Sequence, residues 1–401
     1  MIKNFEKHHD WLDVKRICEK LHNAGFKAWL AGGCVRDGLL KRSPHDFDIA
    51  SDARPIDIEN LFEKTIAIGK SFGVICVVGK NGSNIEVARF RCDGQYSDGR
   101  HPDEITPGTA EQDAERRDFT INALFYDVNE DKIYDFVGGR NDIKLKTIKT
   151  VGDPFSRFQE DYLRVLRAVR FAAQLGFKIE SKTLSAVKKM APKTSNLSGE
   201  RIHEELEKLF SSKYLSVGVD LFFKTGLQKI ILPELQPGSS KTILKILKKD
   251  QKIIQNSELV WLLIFSQIQA AHRAQCFDRL KFSGKEREQV TGSLKLADEF
   301  KNFEKQSLAK RKKIAANTYC SQAVDFFNLE NKVNSRLEIF LKKNKNLPKP
   351  WITGKTLIGL GFFPGKEFGE LLTKTYEMQL DESHSSRRDL IKWLKWLKSL
   401  A

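Results

Sequence analysis

The segments most able to do chemistry are Ala31-Gly32-Gly33-Cys34-Val35-Arg36-Asp37 and, ten residues after Arg36, Asp46-Phe47-Asp48. Two glycines between a strand and a helix let the backbone approach a phosphate closely, and the new helix N-terminus with Arg36 adds positive potential. On a strand, Asp46 and Asp48 point to the same face, so both carboxylates can hold hard cations near that phosphate. Taken singly, a double glycine is a tight turn and an Asp-x-Asp is a solvated loop. Taken together they suit two-metal chemistry, in which cations activate an attacking hydroxyl and neutralise departing pyrophosphate. Glu86 either adds a third carboxylate or is a plain strand-face residue.

A second constellation is Arg116-Arg117-Asp118-Phe119-Thr120-Ile121-Asn122-Ala123. There a guanidinium can clamp phosphate or sugar and a carboxylate can accept from ribose hydroxyls; the plainer alternative is a helix start capped by Asp118. The third runs from Glu160 to Phe171, where spacings of three set Asp161, Arg164, Arg167 and Arg170 along a slowly rotating helical stripe. Intrahelical ion pairs explain Asp161 and Arg164 but not three arginines in one row. Cytosine and adenine both present an exocyclic amine beside a ring acceptor, whereas uracil and guanine present a carbonyl there. A fixed carboxylate and guanidinium, Asp161 and Arg164, therefore accept the first two bases and repel the others. Arg167 and Arg170 then lie where they reach the triphosphate.

The elements that must position these groups fall into two styles. Apolar residues at helical spacing predict a helix from Trp11 to Ala24, and strands are expected at Lys27 to Ala31 and Asp46 to Ala50. Gly73 to Val78 and Asn84 to Arg91 bracket the turn Gly79-Lys80-Asn81-Gly82-Ser83 and read as a hairpin. Beyond Pro154 amphipathic helical patterns take over at Phe158 to Leu175, Ser181 to Met190 and Ser198 to Phe210. They continue at Lys241 to Ile254, Ser257 to Gln269 and Lys285 to Phe303.

With 401 residues the chain exceeds one ordinary core and is expected to hold several domains. The six cysteines are scattered and read as reduced, packed thiols rather than a zinc or redox motif. No apolar run spans a bilayer and the first ten residues lack an export signal, so no membrane association and a cytoplasmic location are expected. A formal charge of +16, from 68 Lys+Arg against 52 Asp+Glu, makes an anionic partner plausible without establishing one.

In this order the three segments resemble the class II tRNA nucleotidyltransferases, with the bacterial poly(A) polymerases as near relatives. The resemblance covers Leu30 to Phe210 and includes Gly138-Gly139 with Asp142 and Gly199-Glu200-Arg201-Ile202; weaker similarity returns near Pro350 to Lys355 and Leu360 to Gly365. It implies an α+β fold: a nucleotidyltransferase head with a mixed sheet over residues 1–150, a helical neck over 151–212, and a helical body and tail over 213–401. It further implies that Gly33 and Arg36 contact the nucleotide, that Asp46 and Asp48 bind Mg²⁺, and that Arg117 with Asp118 handles sugar and phosphates. By the same resemblance Asp161 and Arg164 are expected to read the base. The implied reaction joins CTP and ATP to the 3′ end of tRNA, whose acceptor arm the body and tail hold. Arg91 to Pro102 resembles the full flexible loop of enzymes that add the terminal adenosine, although His101 replaces a common Arg and Thr106-Pro107-Gly108 departs from the family pattern. Full CCA addition, A-only addition, poly(A) synthesis and an idle RNA-binding relative stay open at this point, as does the oligomeric state.

Overall fold

The structure is a computed structural model that describes residues 5–69, 73–100, 102–249, 253, 255–330 and 335–400. His101 and the stretch Lys70-Ser71-Phe72 lie outside the described residues. The chain divides into two compact units, Met1–Pro233 and Glu234–Ala401.

In the first unit α1 (Trp11–Asn23) forms because Trp11, Val14, Ile17, Cys18 and Leu21 share one buried face. The wholly buried β1 (Ala28–Ala31) runs into Gly32 and α2 (Gly33–Leu39). Then come β2 (Asp48–Ser51), α3 (Pro55–Leu61), β3 (Thr65–Gly69), β4 (Val74–Val78) and β5 (Asn84–Arg89). The expected hairpin is present, with Val78 opposite Asn84, but its second strand stops at Arg89. A separate ribbon follows, β6 (Arg91–Asp93) against β7 (Ile105–Pro107). Next are α4 (Ala110–Glu115), β8 (Leu124–Asp127), β9 (Lys132–Asp135) and α5 (Gly139–Lys144).

The seven-stranded sheet has the order β3-β4-β5-β2-β1-β8-β9. It is mixed: β2 pairs β5 in parallel, while β1 pairs β2 and β8 antiparallel. The register sets Asp48 beside Glu86 and beside Ala31, the residue before the double glycine. Trp29, Ala31, Ala50, Phe90, Ala114 and Phe125 form part of the core on one side of these strands. The centre of the sheet is thereby fixed, and the strand ends carrying Gly32 and Asp48 are held beside one another.

From Thr147 the unit is mostly helical. The short strands β10 (Thr147–Ile148) and β11 (Lys178–Ile179) pair in parallel around α6 (Pro154–Glu160) and α7 (Leu163–Leu175); α8 (Ser181–Met190), α9 (Gly199–Phe210), α10 (Leu215–Lys224) and α11 (Leu227–Ile231) follow. The single helix expected over Phe158 to Leu175 is therefore two. Asp161 breaks it, with φ −151° and ψ 109°. Its Oδ1 accepts the Leu163 N–H at 3.0 Å, an i to i+2 bond that competes with helical pairing, and Oδ2 is drawn away to Arg201. Ser181–Met190 matches the expected span, and Ser198 caps α9 instead of opening it.

The second unit is helical: α12 (Ser239–Lys249), α13 (Ser257–Ser266), α14 (Ala270–Arg279), α15 (Gly284–Phe300), α16 (Leu308–Ala315), α17 (Cys320–Glu330), α18 (Ser335–Lys343), α19 (Gly354–Gly359), α20 (Lys366–Leu380) and α21 (Arg387–Ser399). Leu259 through Phe265 of α13 are all buried, as befits a helix that is apolar all round. A mixed sheet with helices followed by an almost wholly helical remainder is the fold class read from the sequence. No described helix is long and apolar enough to cross a membrane. All six cysteines are free, and all but Cys92 are buried.

Candidate active site

Gly32 adopts φ 77°, a region that L side chains rarely enter, and a Cβ added there meets Arg117 Nη1 at 2.9 Å. A Cβ at Gly33 meets nothing nearer than Arg36 Nη2 at 3.7 Å, so the backbone opening α2 is bare. Arg36 is buried; Nη1 donates to Asn122 Oδ1 at 2.6 Å, and Nε and Nη2 donate to Asp37. Its planar group is thus fixed before any ligand arrives.

The acidic wall stands opposite. Phe47 is buried, so Asp46 and Asp48 emerge on the other face of the segment, although β2 begins only at Asp48 and Asp46 lies in its lead-in. The Asp46 side chain is 76% exposed, with His45 Nδ1 at 3.7 Å. Asp48 is open to solvent at its edge, yet the surrounding protein, then Asp46 and Glu86, push its pKa up to about 6; Arg117 pulls weakly the other way. The charges of Asp46 and Glu86 thus favour the protonated form of Asp48, a repulsion that a hard divalent cation would relieve.

Asp118 is buried and does not cap a helix. It follows the end of α4, and the 3₁₀ turn after it, Thr120–Asn122, is capped by Phe119. Oδ1 of Asp118 accepts from the Phe119 N–H and from Asn122 Nδ2, and Oδ2 accepts from Arg167 Nε at 2.7 Å. Burial opposes its charge, but Arg167 and Asn122 prevail and hold the carboxyl at about 2. Arg117 is gripped by Asp113 and by the Asn122 carbonyl and lies over the Phe125 ring.

On the neck side Asp161 accepts from Arg201 Nη2 at 2.8 Å, and Arg164 Nη1 donates to Glu160 and to the Arg157 carbonyl. Asp161 and Arg164 therefore belong to different networks rather than to one intrahelical pair. Arg167 pairs with Asp118, and the buried Arg170 donates to Glu205 at 2.6 Å and to Gln174 at 2.9 Å. Arg36, Arg167 and Arg170 all pack over the single ring of Phe171, at 5.3, 5.2 and 4.0 Å.

Gly33, Arg36, Asp46, Asp48, Arg117, Asp118, Asp161, Arg164, Arg167 and Arg170 all line one cavity of about 610 Å³. Of the candidate site residues weighed from the sequence, Glu86 alone does not line it and stands instead beside Asp48 in the sheet. Asn122, Phe171 and Arg201 line it as well, and Glu205 and Asp113 anchor its arginines, without having been singled out as site residues. Arg201 stands in the quoted Gly199-Glu200-Arg201-Ile202 run, which was the available signal for it; Glu205 looks like an ordinary helical glutamate until the fold sets it beside Arg170.

A mixed-sheet head with a glycine turn, an acidic pair and an arginine-rich wall defines a nucleotidyltransferase, and comparison with known proteins agrees. Residues 28–149 match the poly A polymerase head domain, and residues 176–238 match a region described as a probable RNA and SrmB-binding site of polymerase A. Over 383 residues the chain is 34% identical to a CCA-adding enzyme of Pediococcus pentosaceus, covering 92% of this chain and 93% of that one. The structure of the Bacillus stearothermophilus CCA-adding enzyme in complex with CTP superposes with a TM-score of 0.85 at 27% identity, over 98% of each chain. That of the Thermotoga maritima CCA-adding enzyme with tRNA shares the fold, with a TM-score of 0.70 at 21% identity over 98% of this chain and 95% of that one. The chain belongs to the CCA-adding enzyme family, within the superfamily that includes the poly(A) polymerases.

Proposed function

We propose that this enzyme completes the CCA terminus of tRNA from CTP and ATP, without a nucleic-acid template, in the cytoplasm and with Mg²⁺ as the working cation. The observation that carries the reading is that one cavity is lined by Asp46 and Asp48 from the head and by Asp161 and Arg164 from the helical segment after it. An idle RNA-binding protein has no need for either, and acceptance of cytosine as well as adenine is what separates this reading from poly(A) synthesis. The relatives are named as CCA-adding enzymes, and solved relatives hold CTP or tRNA.

In this reading Asp46 and Asp48 hold the cations and Glu86, beside Asp48 in the sheet, supports them. Bound there, Mg²⁺ supplies neutralisation of the charge that develops on the α-phosphate and pyrophosphate. The bare backbone of Gly33 and the fixed fork of Arg36 seat the phosphates, with Arg117 next to them. Asp118 faces the ribose while keeping Arg167 in place. Asp161 accepts from the exocyclic amine of cytosine or adenine and Arg164 donates to the ring acceptor, so uracil and guanine meet like against like. Arg167 and Arg170, held by Asp118 and Glu205, contribute positive potential toward the triphosphate. Residues 1–150 act as head and 151–212 as neck, and the helices after 213 hold the acceptor arm.

The decisive assay supplies tRNA ending without CCA, in C or in CC, with all four triphosphates, and sequences the products. Addition stopping at CCA is expected on all three. An unbounded run of A would mean poly(A) synthesis; extension of the CC-ended substrate alone would mean A-only addition; binding without incorporation would leave an RNA binder.

A further inference from the structure

The second unit carries an arginine that no carboxylate among the described residues pairs with. Arg273, on α14, donates from Nε to the carbonyl oxygens of Phe265 at 3.1 Å and Ile268 at 3.2 Å, at and just beyond the end of α13. Those bonds fix the plane of the guanidinium. Burial lowers its pKa and no neighbouring carboxylate offsets the cost; among the described residues it forms no ion pair. A partly buried guanidinium whose Nε is held by carbonyl oxygens alone can still meet an anion through its Nη groups.

Arg273 and Thr291 line both of two cavities, of about 500 and 560 Å³. Lys295 and Gln267 line the first. The acidic residue there, Asp298, is taken by Lys301 at 2.7 Å. In the second cavity Arg287 is occupied by Asp278, and Glu288 makes that side less positive. The first cavity is therefore where an anion gains most. Thr291 and Lys295 are exposed on α15, so a large ligand reaches them from solvent.

We propose that Arg273, with Lys295 and Thr291, binds a phosphate group of the RNA backbone, giving the second unit a fixed contact with the tRNA. This rests on the reading of the chain as a tRNA-completing enzyme. A rigid fork, an ammonium and a hydroxyl suit a phosphodiester oxygen pair, and none of them reads sequence.

The test uses the full-length enzyme and tRNA lacking CCA. Fluorescence anisotropy at a series of KCl concentrations gives tRNA affinity and its salt slope for the wild type, Arg273→Ala and Lys295→Gln. ATP affinity and the KM for CTP are measured in parallel. Arg273→Ala is expected to weaken tRNA binding roughly tenfold and Lys295→Gln roughly threefold, each lowering the salt slope by about one, with nucleotide binding unchanged. If loss of the carbonyl contacts unfolds Arg273→Ala, the exposed Lys295→Gln decides. Unchanged tRNA affinity and slope overturn the proposal, as does a loss confined to ATP binding, which would assign the site to free nucleotide. Wild-type incorporation on the same tRNA keeps the two readings apart: its absence counts against the CCA reading, whereas normal incorporation with unaltered variants counts against the Arg273 site.

Discussion

Replacing Asp118 by Asn tests whether the buried ion pair with Arg167 joins the sheet-borne part of the cavity to α7. The carboxyl is held at about 2, against an ordinary value of 3.8. A difference near two pKa units corresponds to roughly 2.5 kcal/mol of preference for the charged form in the folded state. Little solvent discount applies, since the side chain is only 9% exposed. Asn still accepts one bond from Arg167, while the uncompensated guanidinium keeps only a distant Glu205 oxygen at 3.9 Å. The expected loss is therefore about 2–4 kcal/mol at neutral pH.

Because the folded-state value lies below the unfolded one, this stability is fully present above about pH 4 and vanishes as pH falls through about 2. The wild type should thus lose its advantage over Asp118→Asn on the acid side and nowhere else. Hydrogen exchange of the α7 amides reads the correct unit, since two units need not unfold together. A drop of roughly 4–10 °C in the first unit's Tm at pH 7 should accompany it. An unchanged α7 exchange rate at pH 7, or a gap between the two proteins that persists undiminished at pH 2, would refute the reasoning.

Three further outcomes are expected. Asp46→Ala and Asp48→Ala should each remove incorporation while leaving stability within about 1 kcal/mol, read by single-turnover assay and thermal melts; turnover by a well-folded double variant would remove the mechanism. Arg164→Ala should raise UTP use relative to CTP by about tenfold or more with little change in the cation concentration needed, and an unaltered CTP/UTP ratio would dispose of base reading by this residue. Gly139→Ala drives a Cβ into the Thr120 carbonyl oxygen, a backbone atom that Asp142 helps to hold through the Thr120 hydroxyl. The Arg117-Asp118 segment should shift, costing about 1–3 kcal/mol and lowering kcat, and a variant with wild-type melt and rate would contradict that packing.

The chemistry was legible because each group sits in a short local motif whose spacing survives folding. Gly32-Gly33 leads from a strand into a helix, and Asp46 and Asp48 flank a buried Phe47 and share a face. Illegible were the partners that fix these groups. Arg170 finds Glu205 at a separation of 35 residues and Asp161 finds Arg201 at 40, and nothing local encodes such pairs. The break at Asp161 was missed for a related reason. Apolar periodicity runs through the segment undisturbed, and only the competition of an aspartate side chain for the Leu163 amide ends the helix. Strand ends moved by one or two residues, as at Asp48 against the expected Asp46, because hydrogen bonding to β1 and β5 sets them rather than propensity.

An arginine-rich cavity facing two aspartates should collapse into salt bridges, and the fold prevents this by pairing each arginine elsewhere. Arg36 is held by Asp37 and Asn122, Arg117 by Asp113, Arg164 by Glu160, Arg167 by Asp118, Arg170 by Glu205 and Arg201 by Asp161. Among the described residues, no Lys or Arg forms an ion pair with Asp46 or Asp48. Arg117 comes near enough to lower the proton affinity of Asp48, yet Asp113 keeps it from closing the gap. The negative wall therefore stays available for cations and the positive wall stays extended toward phosphates, two opposed fields held apart by carboxylates other than Asp46 and Asp48. On that logic Asp113→Asn should release Arg117 onto Asp48, so that a higher Mg²⁺ concentration is needed for half-maximal rate while the saturating rate is little changed. An unaltered Mg²⁺ requirement would mean that something other than Asp113 restrains Arg117.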